Sequence, residues 1–292
     1  MERLNKYLAR CGVASRRGGD DIIAQGRVRI NGKPVSGAGD KVDPDRDRVA
    51  VDGKLVRLQE RTLRLMFNKP RGIVTTLEDP KTGAAKTLQP WLSKYSERLY
   101  PVGRLDRDSE GLLLLTNDGS LTHRLTHPRY HIEKEYRVTV QGQMTEQQAD
   151  RMAAGINLED GLTQPTQITA IDIEPDRSRF NIILREGRQH QIRRMCEAVG
   201  LHVIRLRRLR IGPLVLSGMK PGELRELTPQ ESRALENELR KASKQDIPTP
   251  SPKTGKKLGS GVPPASSASV LNIKCKMRNE KLKMKPRAAV KR

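Results

Sequence analysis

Apolar residues recur at helical spacing at the start of the chain. Leu4, Leu8 and Cys11 fall on one side of a helix, because positions three and four residues apart share a helical face. Gly12 is expected to end this helix. Ser15 is a suitable N-cap for a second helix, which the pattern predicts over residues 16–25.

Alternating spacing replaces helical spacing after these two helices. Residues 28–30 and 33–35 are short β-type runs on either side of Asn31-Gly32. An Asn-Gly pair between such runs predicts a tight hairpin. Two helices and a small sheet make a compact α+β unit, which we assign to residues 1–62.

The next part of the chain has many short β-type runs and few helices. Strands are predicted over residues 65–68, 73–76, 112–115, 134–140, 166–173, 179–184, 203–211, 214–216 and 223–227. Helices are predicted over residues 120–126, 145–154 and 188–199, and in a final segment that starts at Pro229. This content predicts an α+β domain with a mostly antiparallel sheet over residues 63–240.

A charged loop precedes the most apolar of these strands. It carries Asp106 and Asp108 together with Arg104 and Arg107, and it runs directly into residues 112–115. A buried strand is a rigid support, and nearby guanidinium groups keep a carboxylate ionised. The pattern fits a mounted reactive carboxylate, and it equally fits a surface turn with solvated salt bridges.

The helix predicted over residues 188–199 places its arginines unequally. Ile192 and Met195 lie on its apolar face. At 100° per residue, Arg193 falls at the edge of that face, whereas His190, which we assign no role, and Arg194 point away from it. Arg193 is therefore available to an internal carboxylate, and Arg194 faces solvent or a partner.

The charge of the chain indicates a polyanionic partner. The 292 residues carry a formal net charge of +22, with a sequence pI of about 10.3. Nucleic acid is the first candidate and an acidic membrane surface the second. No segment approaches the ~18 apolar residues of a transmembrane helix, and the N-terminus lacks a signal peptide, so we expect a cytosolic protein. Aromatic residues make up only 3%, which favours electrostatic binding over base stacking.

The cysteines and histidines do not form a metal-binding pattern. The three cysteines lie far apart in the chain, which argues against a disulfide framework or a zinc site. His123, His127 and His131 are spaced by four, but Pro128 interrupts the helix that would align them. We therefore expect no metal site.

Residues 1–62 resemble the S4 RNA-binding domain, on three short motifs. These are residues 3–8 (RLNKYL), residues 15–17 (SRR) and residues 26–32 (GRVRING). In that family the corresponding face lies on structured RNA. The resemblance implies phosphate contacts from six basic residues: Arg3, Lys6, Arg10, Arg16, Arg17 and Arg27.

Four further motifs, in order, resemble the RsuA family of RNA pseudouridine synthases and within it the enzymes of large-subunit ribosomal RNA. The motifs are Lys69-Pro70-x-Gly72, the loop and strand over residues 103–119, Lys134-x-Tyr136, and residues 186–195 (EGRQHQIRRM). Together they follow an S4-like domain and extend the resemblance over residues 1–237. The implied fold is a small S4-like domain followed by a pseudouridine synthase domain.

The resemblance also implies residue roles. Asp106 corresponds to the family's essential nucleophile or general base, and Asp108 has no assigned role. Tyr136 corresponds to the aromatic residue that stacks on uracil, and Arg193 to the arginine that pairs with the aspartate. Arg104 corresponds to an arginine that helps to hold the target nucleotide out of its helix. RNA contacts are further expected from three basic residues: Lys69, Arg188 and Arg194. The alternative for Lys69 is that it only positions a loop.

The function implied by this resemblance is pseudouridine formation in ribosomal RNA, most closely 23S RNA, without a metal, nucleotide or redox cofactor. We expect a monomer that does not bind membranes. The alternative from another class is a non-catalytic ribosome-assembly factor that uses the same basic surfaces.

The end of the chain differs in composition from the rest. Residues 241–292 hold 14 Lys or Arg and 2 Asp or Glu, a net +12 of the total +22. Such a segment cannot bury a core, so we expect it to be disordered when free. It is either a solvated tail or a non-specific attachment to ribosomal RNA.

Overall fold

The structure is a computed structural model that describes residues 1–78, 83 and 86–244. Its N-terminal module contains α1 (Leu4–Arg10), α2 (Arg16–Ala24) and six short strands. The strands are β1 (Glu2–Arg3), β2 (Val28–Ile30), β3 (Lys33–Pro34), β4 (Lys41–Val42), β5 (Val49–Val51) and β6 (Lys54–Leu55). Leu4 and Leu8 of α1 pack against Val28 and Val49 of the sheet in one core.

The local predictions for this module are confirmed. Ser15 caps α2 by accepting a hydrogen bond from the Gly18 amide at 3.0 Å. Asn31 and Gly32 both have positive φ, 51° and 81°, as the two central positions of a type I′ hairpin turn require. Gly19 lies inside α2, where a Cβ would stand 3.4 Å from the Asn5 backbone. That glycine lets the two helices approach closely.

The second part is built on one nine-stranded sheet. Its strands are β7 (Arg64–Lys69), β8 (Tyr100–Val102), β9 (Ser109–Thr116), β10 (Lys134–Gln141), β13 (Gln167–Ile173), β14 (Arg177–Leu184), β15 (Val203–Ile211), β16 (Leu214–Val215) and β17 (Leu224–Glu226). Seven of them follow the order β13-β14-β10-β15-β9-β7-β17, while β16 pairs with β15 and β8 with β9. A separate hairpin joins β11 (Asn157–Leu158) and β12 (Gly161–Leu162). The predicted, mostly antiparallel sheet is confirmed.

One pair of strands in this sheet is parallel. β9 and β15 run side by side with Ser109 opposite Leu206 and Gly111 opposite Arg208. Antiparallel pairs can form through short turns, but a parallel pair needs a long crossover. Here the crossover takes up residues 117–202, so strands from distant parts of the chain meet at the centre of the sheet.

Helices cover the sheet and divide its core into three clusters. The helices are α3 (Gln89–Leu92), α4 (Gly119–Thr126), α5 (Glu146–Ala154), α6 (Gln191–Ala198) and α7 (Pro229–Lys244). α5 and α6 pack on β10 and β14, α4 and α7 pack near β16, and α3 packs on β7. The leucine run of β9 is buried throughout, at 0–2% exposure. No helix among residues 1–78 and 86–244 is long and apolar enough to cross a membrane.

Two predicted elements differ from the structure. Residues 73–76 do not form a strand; they form a loop in which the Val74 amide donates to Lys86. α6 begins at Gln191 and not at residue 188, because His190 adopts a left-handed conformation with φ 50° that helix geometry excludes. The predicted basic tail covers residues 241–292, and all of it beyond Lys244 lies outside the described residues.

Candidate active site

The loop that carries Asp106 is fixed by the turn that follows β7. The Gly72 amide donates to the Arg107 carbonyl at 2.8 Å, and Thr75 Oγ1 exchanges hydrogen bonds with the backbone of Leu105. Lys69 Nζ donates to the Ser109 carbonyl at 2.7 Å. The carboxylate is therefore held on a backbone that is bonded on both sides.

Lys69 is wholly buried behind this loop, at 0% exposure. Its ammonium group also donates to the carbonyls of Pro70 and Arg107. Burial lowers the pKa of Lys69 to about 8, although the negative charges of Asp106 and Asp108 oppose this shift. Lys69 has no exposed surface with which to contact a phosphate, and its hydrogen bonds hold the loop. This burial fits the alternative that Lys69 positions a loop better than the RNA contact, which stays a prediction.

The burial of Lys69 predicts a measurable pH dependence of stability. The folded pKa of about 8 lies below the ordinary 10.5, so the unfolded chain binds this proton more tightly. Folding is disfavoured by this group below pH 8, and the penalty disappears as pH rises towards 10.5. Between pH 7.5 and 10, the free energy of unfolding of the wild type should therefore rise by about 2 kcal/mol relative to that of the Lys69→Met variant. Urea titrations of both proteins at each pH measure this difference; a constant difference would contradict it.

The side chain of Asp106 lines a cleft of about 640 Å³. Its side chain is 41% exposed, and Oδ1 lies 3.4 Å from Nε2 of His190. His190 stands at the N-terminal end of α6, and its positive φ turns the chain into the cleft. An accessible carboxylate with a fixed backbone is suited to act as a nucleophile or a general base.

Tyr136 and two cationic side chains line the floor of the same cleft. Lys134 and Tyr136 lie two residues apart on β10, so they share one face of the sheet. Arg208 of β15 is 3% exposed, and its Nη1 lies 3.5 Å from the Tyr136 hydroxyl. The parallel pairing of β9 with β15 therefore brings Arg208 beneath the loop of Asp106.

Arg193 does not pair with Asp106 in this structure. Its Nη1 donates to the Val203 carbonyl at 3.4 Å, and its Nη2 is buried without a partner. Arg193 lies at the edge of the apolar face of α6, as predicted, but that edge points towards β15. The side chain that reaches Asp106 from this segment is His190, one turn earlier.

Three other predicted arginines differ in their freedom to bind RNA. Arg104 lines the cleft, is exposed, and forms no ion pair with any described residue. Arg188 also lines the cleft, but it donates to the carbonyls of Gly161 and Leu162. Arg194 donates to both carboxylate oxygens of Asp160 at 3.0 Å. Arg188 and Arg194 thus fasten α6 to the hairpin of β11 and β12, and their RNA contact remains a prediction.

The six basic residues of the N-terminal module are all exposed. Lys6 and Arg10 share Glu2, and Arg27 pairs with Asp52. Within the described residues, no hydrogen bond or ion pair is made by the side chains of Arg3, Arg16 and Arg17. These three guanidinium groups are the freest to contact phosphate.

The sequence did not single out His190, Lys134 or Arg208. His190 and Lys134 each stand inside a motif, so proximity to a motif was a usable signal. Arg208 had a weaker one: it alternates with Leu206 on a strand whose inward positions are otherwise apolar. No group of His, Cys, Asp and Glu placed to hold a metal ion occurs in the described part of the chain.

Fold and site together define a class of RNA-modifying enzyme. An S4 domain model matches residues 2–49, and the model of the RNA pseudouridylate synthase family matches residues 64–198. An uncharacterized RNA pseudouridine synthase of Aquifex aeolicus (strain VF5) is 42% identical over 233 residues, which cover 80% of this chain and 93% of that protein. The ribosomal large subunit pseudouridine synthase B of Bacillus subtilis (strain 168) is 40% identical over 237 residues, 80% of this chain and 96% of that protein.

A solved structure gives the same result. The crystal structure of a pseudouridylate synthase matches with a TM-score of 0.58 and 33% identity, over 80% of this chain and 100% of that chain. The chain therefore belongs to the family of RNA pseudouridylate synthases, which are isomerases, and it carries an N-terminal S4 domain.

Proposed function

We propose that this enzyme converts a uridine of large-subunit ribosomal RNA to pseudouridine, acting as a cytosolic monomer with Asp106 as its reactive carboxylate. The observation that carries the site assignment is the placement of Asp106: it is accessible in a cleft, on a loop bonded to the rest of the domain on both sides. The name of the Bacillus subtilis relative supports the large subunit as the substrate.

The reaction requires one bond to break and another to form at the same sugar carbon. The C1′–N1 bond breaks, uracil turns, and C5 bonds to C1′; the proton on C5 is lost and N1 gains one. Carboxylates act at such anomeric carbons in glycosidases. Asp106 and Tyr136 line the same cleft, and we assign Asp106 to the sugar carbon and the ring of Tyr136 to the base. The target must leave its stack, at a cost of a few kcal/mol, and Arg104 at the rim is placed to hold it there.

Family membership favours catalysis over the alternative of a non-catalytic assembly factor. A direct test incubates the purified protein with deproteinised 23S and 16S RNA and maps pseudouridine at nucleotide resolution. We expect one new site, in 23S RNA. A new site in 16S RNA would contradict the choice of subunit, and no site in either RNA or in assembly intermediates would contradict the proposed activity.

The basic tail is proposed to attach the enzyme non-specifically to ribosomal RNA. Deleting residues 245–292 removes 12 Lys or Arg and 2 Asp or Glu. The plot of log affinity against log salt has a negative slope. Its magnitude decreases by about 0.7–0.9 for each phosphate that the shortened chain no longer neutralises. Binding to 23S RNA fragments, measured from 50 to 300 mM KCl, should therefore show a flatter slope for the truncated chain. An unchanged slope would show that the tail does not contact RNA.

A further inference from the structure

The floor of the cleft contains two buried or half-buried cations, Lys134 and Arg208, and a third cation, Lys69, is buried behind the loop of Asp106. Lys69 donates only to backbone carbonyls, Lys134 donates to the Ile132 carbonyl, and Arg208 donates to the Leu112 carbonyl at 2.6 Å. Among the described residues, none of the three forms an ion pair within 4 Å. Buried cations elsewhere in proteins are normally paired with acids.

Arg208 is the least satisfied of the three. Its side chain is 3% exposed and its Nη2 is buried with no hydrogen-bond acceptor. Its positive charge further lowers the pKa of Lys69 and of Lys134, which burial brings to about 8. A buried arginine that repels two neighbouring lysines is costly, and such an arrangement is typical of a site where negative charge appears during the reaction.

We infer that Arg208, supported by Lys134, stabilises the negative charge that develops on uracil when its bond to the ribose breaks. This inference rests on the proposed function and adds a role within it. When C1′–N1 breaks, the electron pair of the bond remains on the uracil ring, whichever role Asp106 takes. The charge persists until C5 donates a pair to C1′; it returns when the C5 proton leaves and ends when N1 gains a proton. A fixed cation near the ring lowers the free energy of the anionic uracil.

The position of Arg208 favours uracil over a phosphate as the group that it serves. Arg208 lines the cleft together with Tyr136, with its guanidinium carbon 5.9 Å from the centre of that ring. A phosphate keeps its charge and its hydration throughout, and exposed Arg104 at the rim suits it better. A base that stacks on Tyr136 is uncharged when it enters and becomes anionic only there. Because the guanidinium is held in place beforehand, no reorganisation is needed at that moment.

The test compares two substitutions that shorten the side chain but differ in charge. Single-turnover rates are measured for Arg208→Gln and Arg208→Lys on an RNA fragment with the mapped uridine. A second fragment carries 5-fluorouridine there, and the readout for both is loss of the N-glycoside in digested RNA. We expect Arg208→Gln to lower the single-turnover rate with the uridine substrate by about 10²-fold, which is the effect of removing one fixed donor to a developing anion. Arg208→Lys keeps the positive charge, so its rate should fall much less.

The fluorinated substrate separates charge stabilisation from a structural role. Fluorine withdraws electrons and stabilises the anion by itself, so the loss caused by Arg208→Gln should be several-fold smaller with 5-fluorouridine. An equal loss with both substrates would mean that Arg208 only supports the fold, and would overturn the inference. Arg205→Gln makes the same change on the same strand, at a side chain that is 59% exposed, pairs with Glu110 and does not line the cleft. It is the matched control and should keep the wild-type rate.

The remaining outcomes are also decisive. If Arg208→Gln does not fold, as judged by circular dichroism, a folded Arg208→Lys that loses about 10²-fold overturns the inference, and one that keeps most of its rate supports it. If wild type and Arg208→Gln are equally fast, the inference fails while the proposed function stands. If the wild type forms no pseudouridine in any RNA, the proposed function fails first.

Discussion

Replacing Asp106 by Asn should abolish pseudouridine formation and leave RNA binding intact. The substitution keeps the size of the side chain but removes its charge and its capacity to act as a nucleophile or a base. We expect the single-turnover rate to fall by at least about 10⁴-fold, the scale seen when a reactive group is removed from other enzymes. RNA affinity should change little, since the exposed cations of the N-terminal module and of the cleft rim are unaffected.

Asp108→Asn is the matched control for this prediction. Asp108 lies two residues away on the same loop, is 52% exposed, and only approaches Arg107 at 3.8 Å. The sequence offered Asp106 and Asp108 as similar carboxylates, and the family resemblance chose between them. A large loss of activity in Asp108→Asn with an active Asp106→Asn would reverse that choice.

Replacing Gly111 by Ala should unfold the catalytic domain or displace β15. Gly111 has φ +104°, and a Cβ there would stand 2.3 Å from the carbonyl oxygen of Arg208 and 2.8 Å from its amide nitrogen. Both atoms belong to the backbone of a central strand, so neither can move aside cheaply. We expect a loss of about 3–5 kcal/mol in the free energy of unfolding, from steric overlap added to backbone strain.

Gly161→Ala separates the two causes. Gly161 has φ +98°, and nothing lies within 4 Å of a Cβ built on it. Its alanine variant should therefore lose only the strain, about 1–2 kcal/mol. Denaturant titrations followed by circular dichroism give both values. Equal losses in the two variants would show that the contact with Arg208 does not limit the approach of the strands.

Elements that depend on contacts between neighbouring residues were predictable from the sequence. Elements that depend on contacts between distant parts of the chain were not. α1, α2 and the hairpin at Asn31 depend on neighbouring residues, so spacing, capping and turn chemistry were sufficient. The strand predicted over residues 73–76 failed because its backbone groups bond to the loop around Lys86 and Leu88. β propensity describes a segment that fits a sheet, but it does not show whether the sheet has a vacant edge there.

The site shows the same division. Helical periodicity correctly placed Arg193 at the edge of the apolar face of α6, but it could not tell which strand that edge would meet. The edge meets β15 at Val203, and His190 reaches Asp106 instead. Arg208 reaches the cleft only through the parallel pairing with Gly111, which no short-range pattern encodes.

That parallel pairing also predicts an order of folding events. The hydrogen bond that joins the turn after Lys69 to the loop of Asp106 links Gly72 to Arg107, whereas Ser109 meets Leu206 only after a longer loop has closed. Contacts of larger sequence separation form more slowly. We therefore expect the loop of Asp106 to form before Arg208 packs beneath it, and an intermediate between these two events would hold Asp106 in an incomplete cleft.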